Sequence, residues 1–121
     1  MTILDTSALV RFATKDIIER SNKIKELIDS SEELRIPDVV FPELEYVLAG
    51  SYGAKKYKLV KLFRFLTSPR FITSSEVKKA VFIFSNNTLD MADCIILASC
   101  AKGDSLASFD KKLLKTYENE K

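Results

Sequence analysis

The sequence predicts an α/β domain with a mainly parallel sheet. Short β-leaning runs alternate with amphipathic helical stretches, the pattern of strands joined by helical crossovers. The 121 residues, 46% hydrophobic and 30% charged, suit one folded domain, residues 1–121, with one core. Only 3 Gly and 3 Pro leave little loop material and no glycine-rich phosphate cradle.

The elements follow in chain order. Thr2-Ile3-Leu4 is a first short strand stopped by Asp5-Thr6-Ser7, and Thr6 or Ser7 caps a helix over 8–14. An amphipathic helix near 16–30 turns Ile17, Ile18, Ile24, Leu27 and Ile28 inward. Leu34-Arg35-Ile36 is extended and ends at Pro37. Val40, Leu44, Val47 and Leu48 give residues 39–49 helical spacing up to Gly50. That helix either starts near Pro42 or kinks there, because proline lacks an N–H and clashes backwards. Residues 54–66 make the next helix, Phe71-Ile72-Thr73 is extended, and Ser74-Ser75-Glu76 opens a helix through Phe84. An apolar helix over 88–102 closes at Gly103, Leu106-Ala107-Ser108-Phe109 is a last strand, and a terminal helix runs to about Glu118.

Composition excludes several chemistries. With no histidine, Ser-His-Asp hydrolysis, Cys-His proteolysis, paired-His ribonuclease chemistry and His-ligated zinc are all ruled out. Cys94 and Cys100 fall in one predicted helix, where six residues rotate about 600° and rise about 9 Å, so they point apart and do not bridge. Both read as small buried hydrophobes of a reducing cytosol. No apolar run approaches a membrane span, and Asp5 interrupts any secretory leader, so a cytoplasmic location without membrane attachment is expected.

Charge is unevenly spread. The net charge is +2, yet residues 46–75 hold Lys55, Lys56, Lys58, Lys61, Arg64 and Arg70 without one acid. Such a segment is either an electrostatic footprint for phosphates or a solvated helix face.

Four carboxylates stand out. Asp5 ends the first strand and Asp110 the last, and in open parallel sheets the ligand crevice lies beyond the carboxyl ends of strands. Either one is equally at home as a turn or cap residue. Asp93 has Ile96, Leu97 and Cys100 as helical neighbours, so it faces the core unless it serves, with Asp90, an acidic capping arrangement. Glu43 borders the apolar stripe of its helix, whereas Glu45 reads as solvent-facing. Carboxylates gathered together raise one another's pKa unless a cation intervenes. Hard divalent Mg²⁺ or Mn²⁺ is the natural partner, and a metal-dependent nuclease working this way needs no histidine.

The motifs resemble those of the PIN-domain ribonucleases, and within them the VapC-like toxins of toxin–antitoxin pairs. The matching stretches are Ile3 to Leu9, Pro42 to Leu48, Leu89 to Ala98 and Leu106 to Leu113, in an order and spacing that span most of the chain. The resemblance implies a three-layer α/β/α sandwich. Members usually carry a strand after the terminal helix, whereas this chain stops at Tyr117-Glu118-Asn119-Glu120-Lys121, so a four- or five-stranded sheet is expected.

The same resemblance implies that Asp5, Glu43, Asp93 and Asp110 are the catalytic, metal-binding acids, with Thr6 or Ser7 hydrogen-bonding into the cluster. It implies Mg²⁺ or Mn²⁺ as cofactor and water attack leaving a 5′-phosphate. Single-stranded or loop RNA such as tRNA would be the substrate, and the chain would form a homodimer bound by a small antitoxin. Arg11 and Lys15, one to two turns after Asp5, and the Lys55, Lys56 and Lys58 run are candidates for RNA phosphate contact. In the helix 54–66, Leu59, Leu62, Phe63 and Leu66 form one stripe while Val60 and Phe65 lie off it, surplus apolar surface expected at a dimer or antitoxin interface.

Two alternatives share these acids: a PIN-like binding module that does not cleave, and a housekeeping RNA-processing nuclease. An aspartyl-nucleophile phosphatase would want a second Asp where Ser7 stands.

Overall fold

Side-chain caps set most of the helix starts. The structure, a computed structural model, describes residues 1–120. It runs β1 (Thr2–Ile3), α1 (Thr6–Thr14), α2 (Ile18–Asp29), β2 (Leu34–Arg35), α3 (Val40–Ser51) and α4 (Lys56–Leu66), then β3 (Phe71–Ile72), α5 (Ser75–Asn86), α6 (Met91–Ser99) and α7 (Lys111–Glu120). Asp5, rather than Thr6 or Ser7, caps α1 by accepting the Ala8 N–H at 3.0 Å. Ser74 caps α5 through the Val77 N–H, and Asp90 caps α6 through the Asp93 N–H. Asp110 accepts the Leu113 N–H in the first turn of α7.

The boundaries have local reasons. Pro42 lies in the first turn of α3, where an amide N–H would have no helical partner, so the helix starts around it without a kink. Gly50 falls inside α3 rather than ending it. The helix expected over 88–102 shortens to α6, because Asp90 is extended as its cap and Cys100 is extended at its end.

β1, β2 and β3 pair in that order, all parallel, with Thr2 opposite Leu34 and Leu34 opposite Phe71. This mixed α/β architecture is consistent with the α/β/α layering expected from the sequence. The strand count differs: three strands are present among the described residues, not four or five. Leu106–Phe109 is irregular, because only Leu106 packs on the core and Phe109 is fully exposed. The Ser108 hydroxyl meets the Asp110 N–H at 3.0 Å, so the segment bends into the start of α7 instead of extending along β1.

Burial explains the layering. Leu34 and Phe71 turn into the core, while Ile3, Arg35 and Ile72, their alternates in register, keep their exposure. Phe63 of α4 meets Phe41 of α3 edge-on and Phe84 of α5 at a tilt, both with ring centroids 5.5 Å apart. All three rings are fully buried. Phe65, off the apolar stripe of α4, stacks on Phe12 and meets Phe71 edge-on, so part of the surplus apolar surface is consumed within the chain. Cys94 is buried and Cys100 half-buried, and both are free thiols.

Arg70 closes the far end of the crossover. Its guanidinium donates to the carbonyls of Leu27, Ile28, Ser30 and Glu32, tying together the end of α2 and the turn after it. This basic residue therefore serves the fold and not a phosphate. Arg70→Ala is expected to cost about 2 kcal/mol, and Arg70→Lys most of that, because an ammonium cannot reach acceptors so widely placed. Urea midpoints should fall with an unchanged slope; wild-type midpoints would refute the assignment.

Candidate active site at the carboxyl edge of the sheet

Parallel strands deliver their carboxyl ends to one edge, and each is followed there by a polar side chain. After β1 comes Asp5, after β2 Asp38, and after β3 Ser74. Asp5 Oδ1 accepts the Ala8 N–H and, at 2.9 Å, the Ser7 hydroxyl. These bonds, the Ala8 amide first, hold its carboxyl below the usual range. Neither of these two bonds uses its second oxygen. Ser74 donates its hydroxyl to Asp38 Oδ1 at 2.7 Å, pinning the start of α5 to the end of β2.

Thr6 and Glu43 join α1 to α3: the Thr6 hydroxyl donates to Glu43 Oε1 at 2.6 Å. The carboxylate is exposed and lines a depression of about 350 Å³ with Thr6, Pro42, Tyr46 and Val47. A second depression, about 740 Å³, shares Pro42 and Tyr46 and adds Glu45, Asp90 and Ala92. Tyr46 stands between them, 82% exposed.

Asp93 lies at the border of the core rather than in it, since its neighbour Ile96 is 42% exposed. Burial, then the negative charges of Asp90 and Asp110, push its carboxyl up, and Lys112 offsets part of this. The carboxylate has no hydrogen-bond partner among the described residues. Lys112 itself reaches back to the Thr88 carbonyl at 3.2 Å, tying α7 to the turn before α6.

Glu45 corrects the sequence reading. It is not solvent-facing: it is half-buried and accepts the Met91 N–H at 2.7 Å. Burial raises its pKa, with the Met91 amide working against the rise. Glu45 thus fixes the head of α6, which bears Asp93, against α3, which bears Glu43. Asp38 and Tyr46 were also missed. Asp38 carried a signal, an acid just after the second strand as Asp5 is after the first; Tyr46 carried none.

The cationic candidates separate. Arg11 pairs with Asp16 at 2.7 Å and lies 3.4 Å from the Tyr52 hydroxyl. The Tyr52 hydroxyl first, then Thr14 and Arg11, draw the Asp16 carboxyl down to about 2. Lys15 ends α1 in the left-handed region at φ 56°. Lys56 donates to the Asn87 carbonyl at 2.9 Å and lies over the Phe84 ring, so Arg11 and Lys56 already have partners. Lys55 and Lys58 are exposed and without ion pairs among the described residues. Burial pushes the Cys94 thiol up to about 12, which makes it inert as a nucleophile.

The four expected acids, Asp5, Glu43, Asp93 and Asp110, are all-oxygen donors without histidine, the chemistry of a site for a hard divalent cation. Their side chains are not gathered: no group of three or more acids or cysteines among the described residues is placed to hold a metal ion. Thr73 Oγ1, just past β3, is a buried hydroxyl without a partner among the described residues.

The fold is a parallel α/β domain in which Asp5 and Asp38 follow the first two strands. The sequence pattern of the PIN domain matches residues 2–119, and the chain belongs to the PIN-domain family. Domains of this family are typically nucleases, which generally use divalent metals. A comparison with curated proteins finds no match. No helix among the described residues is long and apolar enough to cross a membrane.

The raised Asp93 pKa has a consequence for stability. An acid whose folded pKa exceeds its unfolded value takes up protons on folding, so stability falls as pH rises from about 4 through the folded value. Asp93→Asn should therefore raise Tm at pH 7 in EDTA, and the gain should vanish below about pH 4. A lower Tm at neutral pH would show that the carboxylate is a structural asset instead.

Proposed function

We propose that this chain is a Mg²⁺- or Mn²⁺-dependent endoribonuclease that hydrolyses RNA phosphodiester bonds and serves as the toxin of a toxin–antitoxin pair in the cytoplasm. The observation that supports the reading is the half-buried Asp93 carboxylate, which accepts no hydrogen bond among the described residues and whose pKa is raised by burial and then by the charges of Asp90 and Asp110. Asp90 and Asp110 each accept a helix N–H, whereas the Asp93 carboxylate does not, and a bound cation would relieve the cost of its charge.

Asp5, Glu43, Asp93 and Asp110 would hold the ion. When bound, it lowers the pKa of a coordinated water and screens the charge on the scissile phosphate. The chain's own contribution is positioning. Ser7 and the Ala8 amide fix one oxygen of Asp5 and leave the other free, while Thr6 steadies Glu43. Glu45 sets α6 against α3, keeping Asp93 beside the same edge. Tyr46, exposed beside both depressions, offers a face on which a splayed base can stack.

Single-stranded or loop RNA, tRNA among the possibilities, is the proposed substrate. A homodimer and a small antitoxin covering the acids complete the proposal. Toxin status rests on the motif resemblance, since a housekeeping nuclease would carry the same acids.

Cleavage of structured RNA with Mn²⁺ tests the reading. Asp5→Asn or EDTA should each reduce the rate by at least 10²-fold while the variant stays folded by circular dichroism. Cleavage that survives both would refute a metal-dependent mechanism through this edge.

A further inference from the structure

The acid edge does not account for a second, strongly basic feature. A trough of about 680 Å³ lies along α4, lined by Lys55, Lys56, Tyr57, Val60, Lys61 and Arg64, with Ser85 of α5 opposite. No acid lines it, and none of the four proposed catalytic acids does.

Helical spacing makes the trough a single designed face. Tyr57, Val60, Lys61 and Arg64 stand at i, i+3, i+4 and i+7, one stripe over about 10 Å of helix. Leu59, Phe63 and Leu66 bury the opposite stripe. Lys55, Lys61 and Arg64 have no ion pair among the described residues, so three cations converge on one concavity without compensation. Lys56 stands at its end, held by the Asn87 carbonyl and the Phe84 ring. Lys58 is off the stripe and does not line the trough.

Aromatic surface accompanies the charge. Tyr57 is 65% exposed, and on α5 Phe82, one turn before Ser85, is 68% exposed. An acid-free basic groove with exposed rings beside it is the combination that tracks a single nucleic-acid strand, phosphates on the cations and bases on the rings. An acidic protein segment would answer the charges but would leave the rings without a planar partner.

We infer that the α4 trough is a binding site for the phosphate backbone of single-stranded RNA, separate from the acid edge. It would hold a part of the strand that is not being cut. The inference rests on the RNA reading above, but binding here requires neither the metal nor cleavage. Lys55, Lys61 and Arg64 would contact phosphates and Tyr57 a base.

The test is fluorescence anisotropy of a labelled 12-nucleotide single-stranded RNA with the full chain in EDTA, over a range of salt concentrations. Lys61→Gln/Arg64→Gln should flatten the slope of log affinity against log salt by roughly 0.7 per charge removed. Lys23→Gln, which removes one charge from α2, should leave the slope close to wild type. Tyr57→Leu should weaken binding about tenfold with the slope unchanged. Binding is read in EDTA, without metal or cleavage, so a failed nuclease reading and a failed trough are told apart.

The proposal is overturned if the double variant binds with wild-type affinity and slope, or if Lys23→Gln flattens the slope as much per charge. It is also overturned if a poly-glutamate peptide binds as tightly as RNA and is indifferent to Tyr57→Leu, which would give the trough to a protein partner.

Discussion

Parallel pairing is the constraint on which the rest of this structure depends. Strands of only two residues contribute few backbone bonds, so their value lies in direction: pairing β1, β2 and β3 in parallel forces every connection to cross over through helices. Every strand then ends at the same edge, and the helices that follow begin there. Helix starts leave N–H groups without partners and favour negative charge. That is why Asp5 and Ser74 fall where they do, as caps of α1 and α5 that also furnish polar groups to the edge.

The same residues carry two loads. Asp5 and Asp110 each spend one oxygen on a helix N–H, which is a structural task, and under the proposed function each would also serve as a metal ligand. The Asp93 carboxylate accepts no hydrogen bond among the described residues, and burial followed by the nearby Asp90 and Asp110 charges raises its pKa. The cap for its helix comes from Asp90, and the clamp on that helix comes from Glu45. The capping of α6 thus falls to Asp90 and leaves the Asp93 carboxylate without that task.

Much of this was legible in the residues. Parallel α/β alternation and the capping of α6 by Asp90 follow from spacing and the chemistry of single residues, while at Pro42 the residues leave a helix start and a kink equally open and the fold selects the start. Features that depend on long-range contact were not. Glu45 looked solvent-facing because helical spacing says which side of α3 it occupies, not that the head of α6 lies against that side. Arg70 looked like part of a basic footprint until the end of α2 came within reach of its guanidinium. The segment Leu106–Phe109 has strand-like composition, but composition does not reveal that the Ser108 hydroxyl turns it into the cap of α7.

Under the proposed function, Asp5, Glu43, Asp93 and Asp110, carried by separate elements, are the ligands of divalent metal. Paramagnetic broadening in amide NMR spectra during titration with Mn²⁺ tests this most directly, because the effect falls off steeply with distance from the ion. Selective loss of the signals of Asp5, Glu43, Asp93 and Asp110 and their chain neighbours, reversed by EDTA and weakened in Asp93→Asn, is the predicted result. Broadening centred on other acids, or none at millimolar Mn²⁺, would contradict a shared site at this edge.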